Sequence, residues 1–154
     1  MIKAHRILFL LFFCFMASGD LLAQAAKEPT LMTFEAKKKS GDDYELIIHC
    51  RIARGWHIFA SKPGGDGSLT PASITFSKSI IATYNGPVKE KGKLISENVE
   101  EVKAKVNTYE NQVDFIQAAT IHGKGKIFAT FSYQTCNDKK CFPPMKKDIV
   151  FEIQ

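Results

Sequence analysis

Two cysteines with four residues between them lie in the stretch Tyr133-Gln134-Thr135-Cys136-Asn137-Asp138-Lys139-Lys140-Cys141-Phe142-Pro143-Pro144. If the strand before them pairs with the strand after, they flank a short connection. Opposed residues of an antiparallel pair lie about 4.5–5.5 Å apart at Cα, which suits a disulfide. A bridge closing about six residues removes only roughly 2 kcal/mol of unfolded-state entropy, against ~3 for fifteen, so it is a poor staple. Lys139, Lys140, Lys146 and Lys147 lie within six residues of Cys141. Nearby cations lower a thiol pKa and raise its thiolate fraction; Asp138 and Asp148 partly offset them. Pro143 and Pro144 stiffen the chain just beyond Cys141. From these residues alone, a redox pair and a structural hairpin disulfide both stay open.

Other chemistries find less support. C-x4-C is neither the C-x-x-C of thioredoxin-like proteins nor half of a two-pair zinc motif. His49, His57 and His122 could supply further ligands, but none stands at ligand spacing from either cysteine, so no metal site is expected. The chain has no G-x-S-x-G, no phosphate-binding glycine loop and no H-E-x-x-H. Hydrolase and nucleotide chemistry are therefore not indicated, and no bound cofactor is expected. Cys50 falls on the apolar side of an alternating segment, where a free cysteine packs as a small hydrophobe. The alternative is an inter-sheet bridge from Cys50 to Cys136 with Trp56 packed on it. Against that, Trp56 follows Cys50 by only six residues, Tyr133 stands three residues before Cys136 where a tyrosine corner needs two, and Cys141 would be left unpaired.

The elements that must carry these residues read as strands. Residues 44–53 alternate, with Tyr44, Leu46, Ile48, Cys50 and Ile52 on one face and Glu45, His49 and Arg51 on the other. Ser40-Gly41-Asp42-Asp43 makes a turn from an earlier run, Leu31 to Lys37. Gly55 opens a short aromatic run, Trp56-His57-Ile58-Phe59. Residues 62–68 read as a loop, with no role assigned to its glycines. Further strands are expected over Ala72 to Phe76, Val113 to Ile121 and Lys126 to Tyr133, with Ile149, Phe151 and Ile153 alternating in the last. Asn85-Gly86-Pro87 reads as a turn and residues 122–125 as a hairpin loop. Val99, Val102 and Val106 are spaced i, i+3, i+7, which fits a helical turn or two or an irregular loop. Seven or eight short strands with regular turns predict an all-β sandwich.

Composition agrees. The chain has 154 residues, 45% apolar and 24% charged, enough for one core and one domain. Its net charge of +5 is mildly basic, which does not by itself indicate a nucleic-acid partner. Lys3 and Arg6 precede an apolar run, Ile7 to Ala17, followed by small and polar residues. That is the pattern of a secretory signal peptide over residues 1–23, with cleavage after Ala23 or Ala25. The run is short for a bilayer span, which needs roughly 20 apolar residues, and Phe13 before Cys14 disfavours a lipoprotein site. Nothing later in the sequence is apolar enough to span a membrane. The expected mature chain lies outside the cytoplasm, where thiols oxidise.

The Tyr-Gln-x-Cys…Cys-aromatic-Pro-Pro pattern of residues 133–144 resembles the active-site stretch of the N-terminal (alpha) domain of DsbD, the periplasmic thiol:disulfide interchange family. Gly55-Trp56-His57-Ile58-Phe59 resembles the family's glycine-aromatic stretch after its second strand. The order and separation of the two fit, and the resemblance spans most of the chain, over residues 27–154. It implies an immunoglobulin-like β-sandwich that passes reducing equivalents to oxidised periplasmic proteins after reduction by a thioredoxin-like domain. Disulfide isomerases and the thiol pathway of cytochrome c maturation are candidate recipients by the same analogy. The resemblance makes Cys136 and Cys141 the redox pair. Cys141 becomes the more exposed sulfur that forms mixed disulfides, and Cys136 the resolving thiol. Trp56, His57 and Phe59 match aromatics that shape the site, with Asp138, Phe142 and Pro143 beside the cysteines.

Three features depart from the family pattern. A family member has five residues between its cysteines, a difference that bears on the bridge's potential. The family shields its disulfide with a cap loop carrying a Phe, whereas no Phe occurs between Phe76 and Phe115 here. Counting back from Tyr109, Val102 is the nearest cap candidate and Val99 the next, and a smaller residue shields less. The sequence given also contains neither a transmembrane electron carrier nor a thioredoxin-like domain, so both are expected as separate proteins. The competing expectation is a non-catalytic secreted binding module with a structural Cys136–Cys141 bridge.

Overall fold

The computed structural model describes residues 28–154; the expected signal peptide lies outside the described residues. Nine strands form two antiparallel sheets. They are β1 (Thr30–Ser40), β2 (Asp43–Ile52), β3 (His57–Gly64), β4 (Ser73–Phe76), β5 (Ala82–Val99), β6 (Ala104–Ile121), β7 (Gly125–Tyr133), β8 (Thr135–Cys136) and β9 (Met145–Ile153). The first sheet runs β1-β2-β6-β3-β8, with β5 also on β6, and the second runs β4-β7-β9. Among the described residues no helix is long and apolar enough to cross a membrane.

The inward faces follow the alternation of the sequence. Leu46, Ile48, Cys50 and Ile52 of β2 are buried, and so are Ile149, Phe151 and Ile153 of β9. Both sheets contribute to one core, with Phe115 of the first sheet against Phe131 of the second at 4.9 Å between centroids. Burying such faces supplies about 25 cal/mol per Å² of apolar area, the main favourable term holding the sheets together. The Tyr133 hydroxyl bonds the Glu28 carboxylate and lies 3.3 Å from Thr30 Oγ1, so the end of β7 is tied to the start of β1.

Several expected boundaries move. Asn85-Gly86-Pro87 does not end a strand; it is an irregularity inside the 18-residue β5, where the register with β6 shifts between Asn85 and Lys89. Proline has no N–H for the ladder, and an edge strand tolerates the gap. Residues 122–125 do not close a hairpin, because β6 and β7 belong to different sheets; the loop crosses the sandwich. Val113 to Ile121 is only the second half of β6. The valine-spaced stretch 97–107 is the tip of the β5–β6 hairpin, with a single 3₁₀ turn at Glu100–Val102 closed by Lys103 in the left-handed region. β3 continues to Gly64, further than expected, because its end runs against the hairpin tip. A Cβ on Gly64 would stand 2.2 Å from the Lys105 carbonyl oxygen, so only glycine fits there.

Candidate active site

The site is built where β8 meets the edge of the first sheet. β8 pairs with the start of β3, placing His57 opposite Cys136 and Ile58 opposite Thr135. Cys141 then faces Cys136 from the other side as an isolated antiparallel bridge. The two are joined as a disulfide with Cα atoms 4.0 Å apart. Backbone hydrogen bonds flank the bridge on both sides. The Asn137 N–H donates to the Lys140 carbonyl and the Phe142 N–H to the Thr135 carbonyl, each at 2.9 Å.

The two sulfurs have unlike surroundings. Cys136 is 2% exposed, whereas Cys141 is exposed. Cys136 sits in a small apolar cluster with Phe59 and Val106, apart from the main core, against which Leu69, Val99 and Val102 pack. The hairpin tip supplies the two valines and the β3–β4 loop supplies Leu69. The two loops touch, since the Gly65 N–H donates to the Lys105 carbonyl at 3.3 Å and Gly65 lies against Leu69 and Val102. Both cysteines open onto a groove of about 620 Å³.

His57, Phe59, Val102 and Asp138 line that groove with the cysteines. His57 and Phe59 meet edge to face at 5.7 Å. Burial holds the His57 imidazole below its ordinary pKa, while Glu110, Asp138 and Glu97 pull it partly back. Burial thus favours the neutral imidazole. Trp56 packs on Phe142 at 5.2 Å, and the Lys140 ammonium lies over both rings at 5.9 and 5.5 Å. Phe142 is further fixed by Gln134, whose amide donates to its carbonyl at 3.1 Å. Pro143 is exposed and stands outside the groove.

Leu69, Glu97 and Glu110 line the groove without having been singled out in the sequence. A lone leucine in a Gly/Ser/Pro-rich loop carries no periodic signal; the run of glycines before it was the available hint, and it marks close backbone approach rather than a plain loop. Cys50 is a free, buried thiol whose pKa burial pushes up to about 12. With Cys136 paired to Cys141, a Cys50–Cys136 bridge is excluded.

A two-sheet antiparallel sandwich with a half-exposed disulfide at one sheet end defines the class of protein. The chain belongs to the family of the thiol:disulfide interchange protein DsbD, N-terminal, whose model matches residues 23–153. Its fold is an all-β antiparallel sandwich, and the family works in thiol–disulfide exchange. Among solved structures, it is similar to the N-terminal periplasmic domain of ScsB from Proteus mirabilis, with 15% identity, a TM-score of 0.51, and coverage of 80% of this chain and 44% of that one. The chain thus spans less than half of that structure's length. It is also similar to the Neisseria meningitidis DsbD N-terminal domain in the reduced form, at 13% identity and TM-score 0.43, covering 77% of this chain and 84% of that one. No curated protein matches the chain.

Proposed function

We propose that this chain is a periplasmic electron shuttle, passing reducing equivalents from a thioredoxin-like donor to oxidised periplasmic proteins through Cys136 and Cys141. In the membrane, an electron carrier would recharge the donor. The observation that carries this reading is the asymmetry of the pair, one sulfur exposed at a sheet edge and its partner buried.

Recharging begins when a donor thiolate attacks the exposed Cys141 sulfur and Cys136 leaves as thiolate. The donor's second thiol then attacks its own sulfur in that mixed disulfide and releases Cys141. Delivery runs the other way. The Cys141 thiolate attacks a partner's disulfide, then Cys136 attacks Cys141 Sγ and re-forms the bridge. The partner leaves with two electrons and, after protonation, two thiols. Trp56, Phe142 and Lys140 hold the segment bearing Cys141, Asp138 and His57 set its polar surroundings, and Phe59 and Val102 shelter Cys136. Pro143 restricts the chain just past the reactive sulfur.

A trapping experiment tests this assignment. The probe is a thioredoxin-family protein whose attacking cysteine is activated with thionitrobenzoate and whose resolving cysteine is Ser. Cys136→Ser is expected to accumulate a mixed disulfide with it, and Cys141→Ser to accumulate little. Equal trapping by both variants, or by neither, would overturn the reading.

A further inference from the structure

Asn137 is the first residue between the two cysteines, and its side chain organises that connection. Its Oδ1 accepts the Lys139 N–H at 3.0 Å and the Lys140 N–H at 2.9 Å. Its own N–H donates to the Lys140 carbonyl at 2.9 Å. On the far side of the bridge, Phe142 is bonded to Thr135 and Gln134. None of these bonds uses a cysteine atom, so none requires the sulfurs to be joined.

We propose that Asn137 is a positioning residue that sets the redox poise of the pair, by holding Cys136 and Cys141 opposite each other in the dithiol as well as in the disulfide. This rests on the exchange function proposed above. The relevant equilibrium is protein disulfide plus two reduced thiols giving protein dithiol plus the oxidised reagent, with two electrons and two protons transferred. Its position depends on the effective concentration of one protein thiol at the other. In the disulfide the covalent bond already closes the loop. In the dithiol only the hydrogen-bonded frame does. Removing the Oδ1 acceptor therefore frees the dithiol more than the disulfide, and the pair becomes easier to reduce.

The test equilibrates wild type, Asn137→Ala, Asn137→Asp and Asn137→Gln in glutathione and in dithiothreitol buffers. The state of the pair is read from the mass of the alkylated peptide carrying both cysteines. Asn137→Ala is expected to lower the equilibrium constant for disulfide formation about tenfold, a rise of about 30 mV in potential at 29.6 mV per tenfold. Asn137→Asp keeps an acceptor in place and is expected to stay within about threefold of wild type. Asn137→Gln carries the amide one bond too far and is expected to follow alanine; it supplies the comparison if the alanine variant does not fold. The proposal is overturned if alanine and glutamine variants stay within threefold of wild type, or if the aspartate variant falls as far as they do. The dithiothreitol series makes the same comparison even for a pair beyond glutathione's reach. An inert wild-type pair in glutathione would thus count against the shuttle, while the variant ratios alone decide the role of Asn137.

Discussion

Trp56 and Phe142 pack with ring centroids 5.2 Å apart, so the residue entering β3 grips the residue that follows Cys141. The chain carries one tryptophan, and it stands at the reactive end of the sandwich. Trp56→Ala should cost about 2 kcal/mol, below the usual range for a fully buried tryptophan because this one is only half-buried. That corresponds to roughly 5–10 °C in melting temperature for a domain of this size. Trp56→Phe should retain most of it. Thermal melts of the oxidised protein followed by circular dichroism check both.

Val102 and Leu69 shield Cys136 from two different loops. Truncating both to Ala removes apolar contact worth about 1 kcal/mol or more, which opens the site about fivefold more often. With Cys141→Ser as background, reaction of the Cys136 thiol with dithionitrobenzoate should speed up by about that factor, with Val102→Phe slowing it. Unchanged rates in stopped-flow mixing would show that the two loops do not gate Cys136.

His57 gives the protein a predictable response to acid. Its pKa is lowered in the fold, first by burial. The unfolded chain then binds a proton, at about pH 6.5 and below, that the folded chain does not. Stability should fall as pH drops from 6.5 toward the folded pKa and level off below it. His57→Gln should flatten that segment of the curve, measured as urea midpoints across pH 5–8.

Cys50 should be silent. With its thiol pushed up to about 12 by burial, roughly one molecule in ten thousand is thiolate at pH 8. Iodoacetamide should leave Cys50 unmodified in the native protein and alkylate it in guanidinium, while Cys141 of the reduced protein reacts at once. Peptide mass mapping separates the two.

Which parts of this were readable in advance follows from how each residue earns its place. Leu46, Ile48, Cys50 and Ile52 share the core face of a strand whose other face carries Glu45, His49 and Arg51, so their alternation announced β2, although Ile47 on that other face is buried too. β5 is an edge strand with mostly exposed side chains, and its run Lys89-Glu90-Lys91-Gly92-Lys93 carries no apolar alternation. Its length was therefore hidden, and the valine spacing beyond it fitted a helical turn or two or an irregular loop, where one 3₁₀ turn forms at a hairpin tip. The cysteine pair stood out by spacing. The burial of Cys136 and exposure of Cys141 came only from the family resemblance and not from the spacing, because that difference is made by Phe59, Val106 and Leu69, which reach the site from distant parts of the chain. Asn137 was invisible for a similar reason: an Asn in a polar loop has meaning only once its Oδ1 is seen on the Lys139 and Lys140 amides.

The most direct test of the account is the reduction potential of the Cys136–Cys141 pair, from equilibration in glutathione buffers at pH 7. A shuttle requires a midpoint within usable glutathione ratios, well above the roughly −300 mV below which structural bridges typically sit. That is the predicted result. A pair that stays oxidised in every glutathione buffer, and opens only as the sandwich unfolds, would contradict the shuttle and leave the bridge as a structural pin in a binding module.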